Sequence, residues 1–288
     1  MFYGASAVSY GLCEQHPEYA SLFSRASTDL EGKNHKIGES ILSFMRERTR
    51  ERDFRNYARY YDQIYLKMKN YEKEAKVIRD TIRQLEKRES KSLLDVGCGT
   101  GEHLKHLSSD FECTGIDINK IMLKTARHKV SDAKFKVGDM TNFRLNERFD
   151  VIICLFSAIG HVRDFNNLVQ TLENFYSHLH SKGLAIVEPW IFKNDFIKGY
   201  IGLDTYEDEK LKFVRMATSK IVKSKWLVLM HYLVGEKGRI SYSREVHEML
   251  ALNHEDYTMA FEEAGFKDTQ YLLESLWENC RGLFIARK

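Results

Sequence analysis

Three groups of residues in the middle of the chain have the types and spacing to hold a nucleoside. Asp95-Val-Gly97-Cys98-Gly99-Thr-Gly101 is a glycine-rich turn. Glycine lets a backbone approach a ligand closely, and the helix expected to follow presents its first N–H groups to an anion. The Gly-x-Gly-x-Gly spacing differs from the Gly-x-Gly-x-x-Gly of dinucleotide sites. Asp117 lies 20 residues after Gly97 (117 − 97), where a carboxylate can accept both hydroxyls of a ribose. Asp139 offers a carboxylate to an adenine amino group, with the Met140 thioether beside it for the ring. Either aspartate alone reads equally well as a helix cap or a turn residue; together with the glycine turn they point to a nucleoside-bearing cofactor.

These residues can cooperate only if each ends a strand on one edge of a sheet. Short apolar runs predict strands over 92–96, 111–118, 133–137, 149–156 and 183–187, and helical periodicity predicts helices over 102–107, 121–130 and 164–179 between them. Strict alternation of such units gives a parallel sheet covered on both faces, with ligands bound beyond the carboxyl ends of its strands. Before the first strand, Ala75, Ile78, Ile82 and Leu85 share one helical face. After Trp190 the rhythm changes: three strand-like segments within 212–252, with Gly-Glu-Lys-Gly at 235–238 as a turn, predict an antiparallel insertion spanning 203–252. A helix over 254–264 stops at Gly265, and strands at 267–273 and 282–286 complete an antiparallel edge. The expected fold is α/β: a Rossmann-like, doubly wound, mostly parallel seven-stranded sheet, with an antiparallel β insertion after strand five covering the active site. Residues 1–50 read as an irregular or weakly helical extension, and 51–288 as one domain. The charge run at 45–53 reads as a solvated helix face.

Composition removes other classes. A chain of 288 residues with 43% hydrophobic and 30% charged residues can bury a core, which excludes intrinsic disorder. Forty-four basic against 41 acidic residues leave a formal charge of +3, with no general field for nucleic acid or an anionic membrane. The five cysteines, at 13, 98, 113, 154 and 280, are odd in number and contain no Cys-x-x-Cys pair, which predicts reduced thiols. With no signal-peptide pattern and no long apolar run, a cytoplasmic location is expected. No metal site is expected: His247-Glu248-Met-Leu-Ala251 lacks a second histidine, and His178 and His180, two apart, point to different faces of a helix. Of the two prolines, Pro189 stands between Glu188 and Trp190, where its fixed angle can aim both side chains at the cleft.

The three strand-end motifs resemble those of class I S-adenosylmethionine-dependent methyltransferases. Tyr61-Asp-Gln-Ile-Tyr65, Phe156-Ser-Ala-Ile-Gly-His161, Val187-Glu188-Pro189-Trp190 and Arg281-Gly-Leu-Phe284 narrow the likeness. They are similar to segments of the N,N-dimethyltransferases acting on dTDP-3-amino-3,6-dideoxyhexoses. The resemblance implies S-adenosylmethionine held by Tyr71, Asp95, Gly97, Cys98, Gly99, Gly101, Asp117, Ile118, Asp139, Met140 and Leu155. It further implies a nucleotide-linked amino sugar contacted by Tyr65, His161, Glu188, Trp190 and Arg281. His161 would act as a base or orient the acceptor, with Tyr65 orienting the amine. Trp190 would support the nucleotide base and Arg281 the pyrophosphate. Another small amine, or a carboxylate, is the alternative acceptor, and a cofactor-binding protein without catalysis is the reading from a different class. A nucleic-acid amino-methyltransferase is disfavoured because the Asn/Asp-Pro-Pro-aromatic loop is replaced by Leu155-Phe-Ser-Ala158. A homodimer is left open.

Overall fold

The computed structural model describes residues 55–86, 91–272 and 280–288. The expectations for the N-terminal extension, Cys13 and the 45–53 charge run therefore lie outside the described residues. In chain order the elements are α1 (Arg55–Met68), α2 (Tyr71–Leu85), β1 (Ser92–Val96), α3 (Glu102–Leu107), β2 (Glu112–Asp117), α4 (Lys120–Lys129), β3 (Lys134–Val137) and β4 (Phe149–Cys154). A 3-10 turn (Ala158–His161), α5 (Phe165–His178) and β5 (Leu179–Val187) follow. Then come β6 (Ile201–Glu207), β7 (Leu211–Val222), β8 (Lys225–Glu236), β9 (Arg239–Leu250), α6 (His254–Glu263), β10 (Lys267–Leu272) and β11 (Leu283–Arg287).

The main sheet has seven strands in the order β10-β11-β5-β4-β1-β2-β3. The five from β3 to β5 are parallel, while β11 runs antiparallel to β5 and β10 antiparallel to β11. This is the expected mixed α/β sheet. Because side chains alternate across a strand, Leu94 and Val96 point toward α5 and α6, packing in the layer of Leu168, Phe175 and Phe261. Leu93 points the other way, into the layer of Ile78, Leu104 and Leu123. The sheet order reverses at β1 and β4, so the crevice opens beyond the carboxyl ends of β1, β2, β4 and β5.

Polar caps fix where the helices begin. Asn70 accepts from the Lys73 N–H at the start of α2, Asn119 from Ile121 and Met122 at α4, and Asp164 from Asn167 at α5. Asn253 and Asp256 form a reciprocal capping box on α6. Two boundaries in the main sheet differ from expectation by more than one residue, the end of β4, at Cys154 rather than 156, and the start of β5. Helix α5 ends at His178 and β5 begins at once, four residues earlier than its apolar run, with the pairing to β4 irregular between Phe149 and Val151. His180 is accordingly in a strand rather than on the helix of His178.

The insertion is a separate four-stranded antiparallel sheet, β6-β7-β8-β9. Its first strand, 201–207, was not among the three segments expected within 212–252. One face carries the buried apolar residues Phe213, Tyr232, Val234, Trp226 and Met249 and packs on α1 and on the Trp190 loop. Charged or titratable residues interrupt that face, among them Asp204, Arg215, Glu245 and His247. Among the described residues no helix is long and apolar enough to cross a membrane.

Candidate active site

The glycine turn is held open by its own geometry. Gly97, Gly99 and Gly101 have φ of 78°, 54° and 77°, the left-handed region that side chains resist. A Cβ on Gly97 would lie 2.6 Å from the Ala158 Cβ and 3.9 Å from the Met140 Cε. The third strand end and the loop after β4 thus close directly on the turn. The N–H groups of Gly97 and Cys98 both donate to the Ile116 carbonyl, at 2.8 and 3.0 Å, which fastens the turn to β2.

Asp117 bridges two strand ends. One oxygen accepts the Gly99 N–H at 2.8 Å and the other the Asn119 N–H at 2.7 Å. Burial raises its pKa, against the pull of those N–H donors. Two of its roughly four lone-pair positions are thereby used, and the others can accept hydroxyls. Asp95, at the base of the turn, is 1% exposed. Burial pushes its carboxyl up to about 7, with the neighbouring Asp117 adding to the rise and His103 opposing it. Asp139 accepts from the Thr141 N–H and hydroxyl, which fixes the turn that carries Met140 to Gly97.

Several expected cofactor contacts point into the fold instead. The Cys98 sulfur lies against the Gly115 position, where a Cβ would meet it at 2.8 Å, and burial holds its thiol well above the usual range, so it is an apolar wall. Gly101 faces Ala126 and Phe135, and its absent side chain lets α4 pack there. Leu155 is 3% exposed within the same core layer as Leu104 and Leu123.

The loop after β4 carries two consecutive non-glycine residues with positive φ, Phe156 at 51° and Ser157 at 59°. Such a conformation costs about 1–3 kcal/mol per residue and persists where surrounding bonds over-determine it. Here Glu188 accepts the Phe156 N–H at 2.6 Å, and the Ser157 hydroxyl donates to the Pro189 carbonyl at 2.6 Å. Arg281 donates to the Ser157 oxygen at 3.1 Å, stands 3.8 Å from the second Glu188 oxygen, and lies 4.9 Å over the Trp190 ring. The motif residues Glu188, Pro189, Trp190 and Arg281 are thus one knot around Ser157. Asp95 Oδ2, Asn119 Nδ2, Glu188 Oε1 and Trp190 Nε1 are buried without a hydrogen-bond partner among the described residues. Buried polar atoms normally have one. Orphan donors and acceptors around an open glycine turn fit a ligand that carries hydroxyl, amino and carboxylate groups.

Tyr65 and His161 are supported from the insertion. The Tyr65 hydroxyl accepts from Arg215 at 2.8 Å, and Arg215 is clamped by Asp204 at 2.7 and 2.6 Å. The Tyr65 ring sits edge-on to Phe156 at 4.9 Å. His161, half-buried at the end of the 3-10 turn, faces the His247 ring at 6.2 Å, and His247 pairs with Glu245 at 3.3 Å. Helix α1 is tied to the glycine turn as well: Asp62 accepts from the Thr100 hydroxyl at 2.6 Å and from Lys129 at 2.8 Å. Tyr71 is buried on His103, its ring 5.0 Å from the imidazole. Asp62, Thr100, Lys129, Asp204, Arg215, Glu245 and His247 were not expected at the site. The sequence carries no distinctive signal for Glu245 and His247: alternation puts them on one face of β9, which also holds Ser241, Ser243 and Met249.

Comparison with known proteins agrees with this geometry. Residues 93–183 match the family described as "Methyltransferase domain". The chain is 32% identical over 234 residues to dTDP-3-amino-3,4,6-trideoxy-alpha-D-glucopyranose N,N-dimethyltransferase of Streptomyces venezuelae, covering 80% of this chain and 97% of that one. It is 36% identical over 211 residues to dTDP-3-amino-3,6-dideoxy-alpha-D-glucopyranose N,N-dimethyltransferase of Streptomyces fradiae, covering 72% and 82%. Among solved structures, Streptomyces venezuelae DesVI superposes with a TM-score of 0.74 at 32% identity, over 80% of this chain and 97% of that one. The amino pentose methyltransferase CalS10 of Micromonospora echinaspora, solved with S-adenosylmethionine bound, gives 0.71 at 31% identity, over 81% and 97%.

Proposed function

Because this chain belongs to the dTDP-amino-sugar N,N-dimethyltransferase family, we propose that it methylates the amino group of a nucleotide-linked amino sugar. S-adenosylmethionine is its cofactor. When bound, that cofactor supplies an electrophilic methyl group on a positively charged sulfur that leaves as a neutral thioether. The protein is left to hold a neutral amine in line with the methyl and to remove one proton per transfer.

The observation that carries the reading is that two groups of residues meet at the loop after β4, where Gly97 abuts Ala158 and the Tyr65 ring abuts Phe156. On one side are the glycine turn, Asp117 and Met140; on the other, two polar residues backed by buried ion pairs. Asp117 accepts the ribose hydroxyls with the lone pairs that Gly99 and Asn119 leave, and Ile118 lies next to it. Asp139 takes the adenine amino group, Met140 packs on the ring, and Tyr71 reaches the methionine carboxylate. On the acceptor side Arg215 donates to the Tyr65 oxygen, which fixes the direction of that hydroxyl. Arg281 spends one donor on Ser157 and is 24% exposed, so its remaining N–H groups can pair with phosphate. Trp190, already against Arg281, supports the nucleotide base. His161 takes the proton that the acceptor nitrogen loses, as an imidazole can near neutrality. Alignment of this kind contributes up to about 7–11 kcal/mol in ideal cases. No nucleic-acid or membrane partner enters this reading.

Incubation with S-adenosylmethionine and a dTDP-amino sugar, followed by mass spectrometry, tests it. A gain of one or two methyl groups is expected. Methylation of a different amine with none on the sugar nucleotide would refute the substrate class. Binding of NAD in place of S-adenosylmethionine by calorimetry would refute the site.

A further inference from the structure

Two ionisable side chains on the inner face of the insertion have no place in the scheme above. Glu245 and His247 lie two apart on β9, so the strand's alternation aims both inward. Their side chains are 8% and 5% exposed, 3.3 Å apart. Opposite them on β8 stand Met230 and Val228, and Met249 follows two residues on. Burying a carboxylate and an imidazole among such neighbours is costly unless they are paired. The pair abuts the acceptor side of the crevice. A Cβ on Gly160 would lie 2.8 Å from the Met249 Cε, so β9 closes directly on the turn that ends in His161. The His161 and His247 rings face each other at 6.2 Å, a gap that one bridging water or one side-chain rotation spans.

We propose that Glu245 and His247 form the second half of a proton path that begins at His161. This inference rests on the N-methyl transfer reading. As the N–C bond forms and the C–S bond breaks, the acceptor nitrogen is left with one proton too many. That proton passes to the ring nitrogen of His161 facing the amine. The proton on the other His161 nitrogen passes to His247, and the Glu245 carboxylate balances the resulting imidazolium. One proton then reaches solvent per methyl transferred, and both imidazoles return to neutrality. Other groups near His161 serve this step less well. Glu188 is held by the Phe156 N–H and Arg281, and the Tyr65 oxygen already receives the Arg215 cation. The charged and titratable groups facing the pair are His161 from the 3-10 turn and Tyr232 from β8, and Tyr232 in turn meets Arg215 of β7 and Asp204 of β6. His247 is thus a positioning and relay residue: it acts through His161.

The test compares wild type with His247→Gln and Glu245→Gln, using S-adenosylmethionine and a dTDP-amino sugar, and measures kcat, KM, a pH profile and rescue by added imidazole. The expected result for His247→Gln is a fall in kcat of about tenfold or more, with both KM values within about twofold of wild type. The pH at which kcat reaches half its maximum should move, and imidazole should restore rate in proportion to its concentration. Glu245→Gln should fall less and in the same direction. Unchanged kcat in His247→Gln, or a loss that imidazole does not rescue, overturns the proposal while leaving the methyltransferase reading intact. Should His247→Gln lose cofactor binding through misfolding, Glu245→Gln and His247→Asn carry the same readouts, and normal kcat in either overturns it. Wild type inactive on every amine defeats the functional reading and this inference together.

Discussion

The Tyr65 hydroxyl and the Arg215 guanidinium, 150 residues apart in sequence, meet in a buried hydrogen bond of 2.8 Å. It joins the helix before the main sheet to a strand of the insertion. Asp204 neutralises the arginine from the adjacent strand, so the bond adds no net charge to the crevice.

Removing Arg215 should therefore cost more than removing the bond. Arg215→Met leaves Asp204 half-buried without its cation, and a loss of roughly 3 kcal/mol is expected. Tyr65→Phe removes the hydroxyl that accepts from Arg215 and leaves the Arg215–Asp204 pair in place, for about 1.5–3 kcal/mol. Urea unfolding of both variants should rank Arg215→Met as the less stable.

Asp117 accepts from Gly99 in the glycine turn and from Asn119 beyond β2, and so links the turn to the end of β2. Asp117→Ala should weaken S-adenosylmethionine binding at least tenfold, about 1.4 kcal/mol. The KM of the sugar nucleotide should change little. Calorimetry with the cofactor alone reads the first quantity and saturation kinetics the second.

The buried Asp95 makes stability depend on pH. Its carboxyl titrates near 7 when folded and near 3.9 when unfolded, so the folded state prefers the protonated form. The contribution is fully present below about pH 4 and declines through pH 7, by roughly 4 kcal/mol in all. Asp95→Asn cannot ionise. Its unfolding free energy should gain on wild type as pH rises from 4 to 8, in parallel denaturant titrations; a constant difference would contradict the assignment.

Gly97 has neither the φ nor the space for a side chain. Gly97→Ala should destabilise on the order of 3 kcal/mol, combining the left-handed backbone with the overlap on Ala158. Thermal melts give the first check. Because the Met140 side chain and the loop after β4 would be pushed from the turn, cofactor affinity should fall as well.

The strands and helices around the crevice were legible because their signals are local. The apolar run 92–96, the glycine turn and the periodicity of 75, 78 and 82 each reflect interactions within a few residues. The missed strand at 201–207 carries no such signal: apolar Ile201 and Leu203 are its exposed side chains, while Gly202 and Asp204 lie on the other face. The inward members of the glycine motif, Cys98 and Gly101, could not be told from the ligand-facing ones, because a motif gives position along the chain and not the direction of a side chain.

Local chemistry along the chain placed three strand ends on one edge of a mixed α/β sheet, and a family likeness in short motifs singled out Tyr65, His161, Glu188, Trp190 and Arg281. Only the tertiary structure decided what those residues touch. Arg281 is tied to Ser157, Glu188 and Trp190 across the main sheet, while the insertion supplies Arg215 to Tyr65 and His247 to His161. The physical reason is the range of the forces. Periodicity and turn chemistry act between neighbours in the chain, whereas the pairing of a buried charge is set by whichever strand the packed core brings against it.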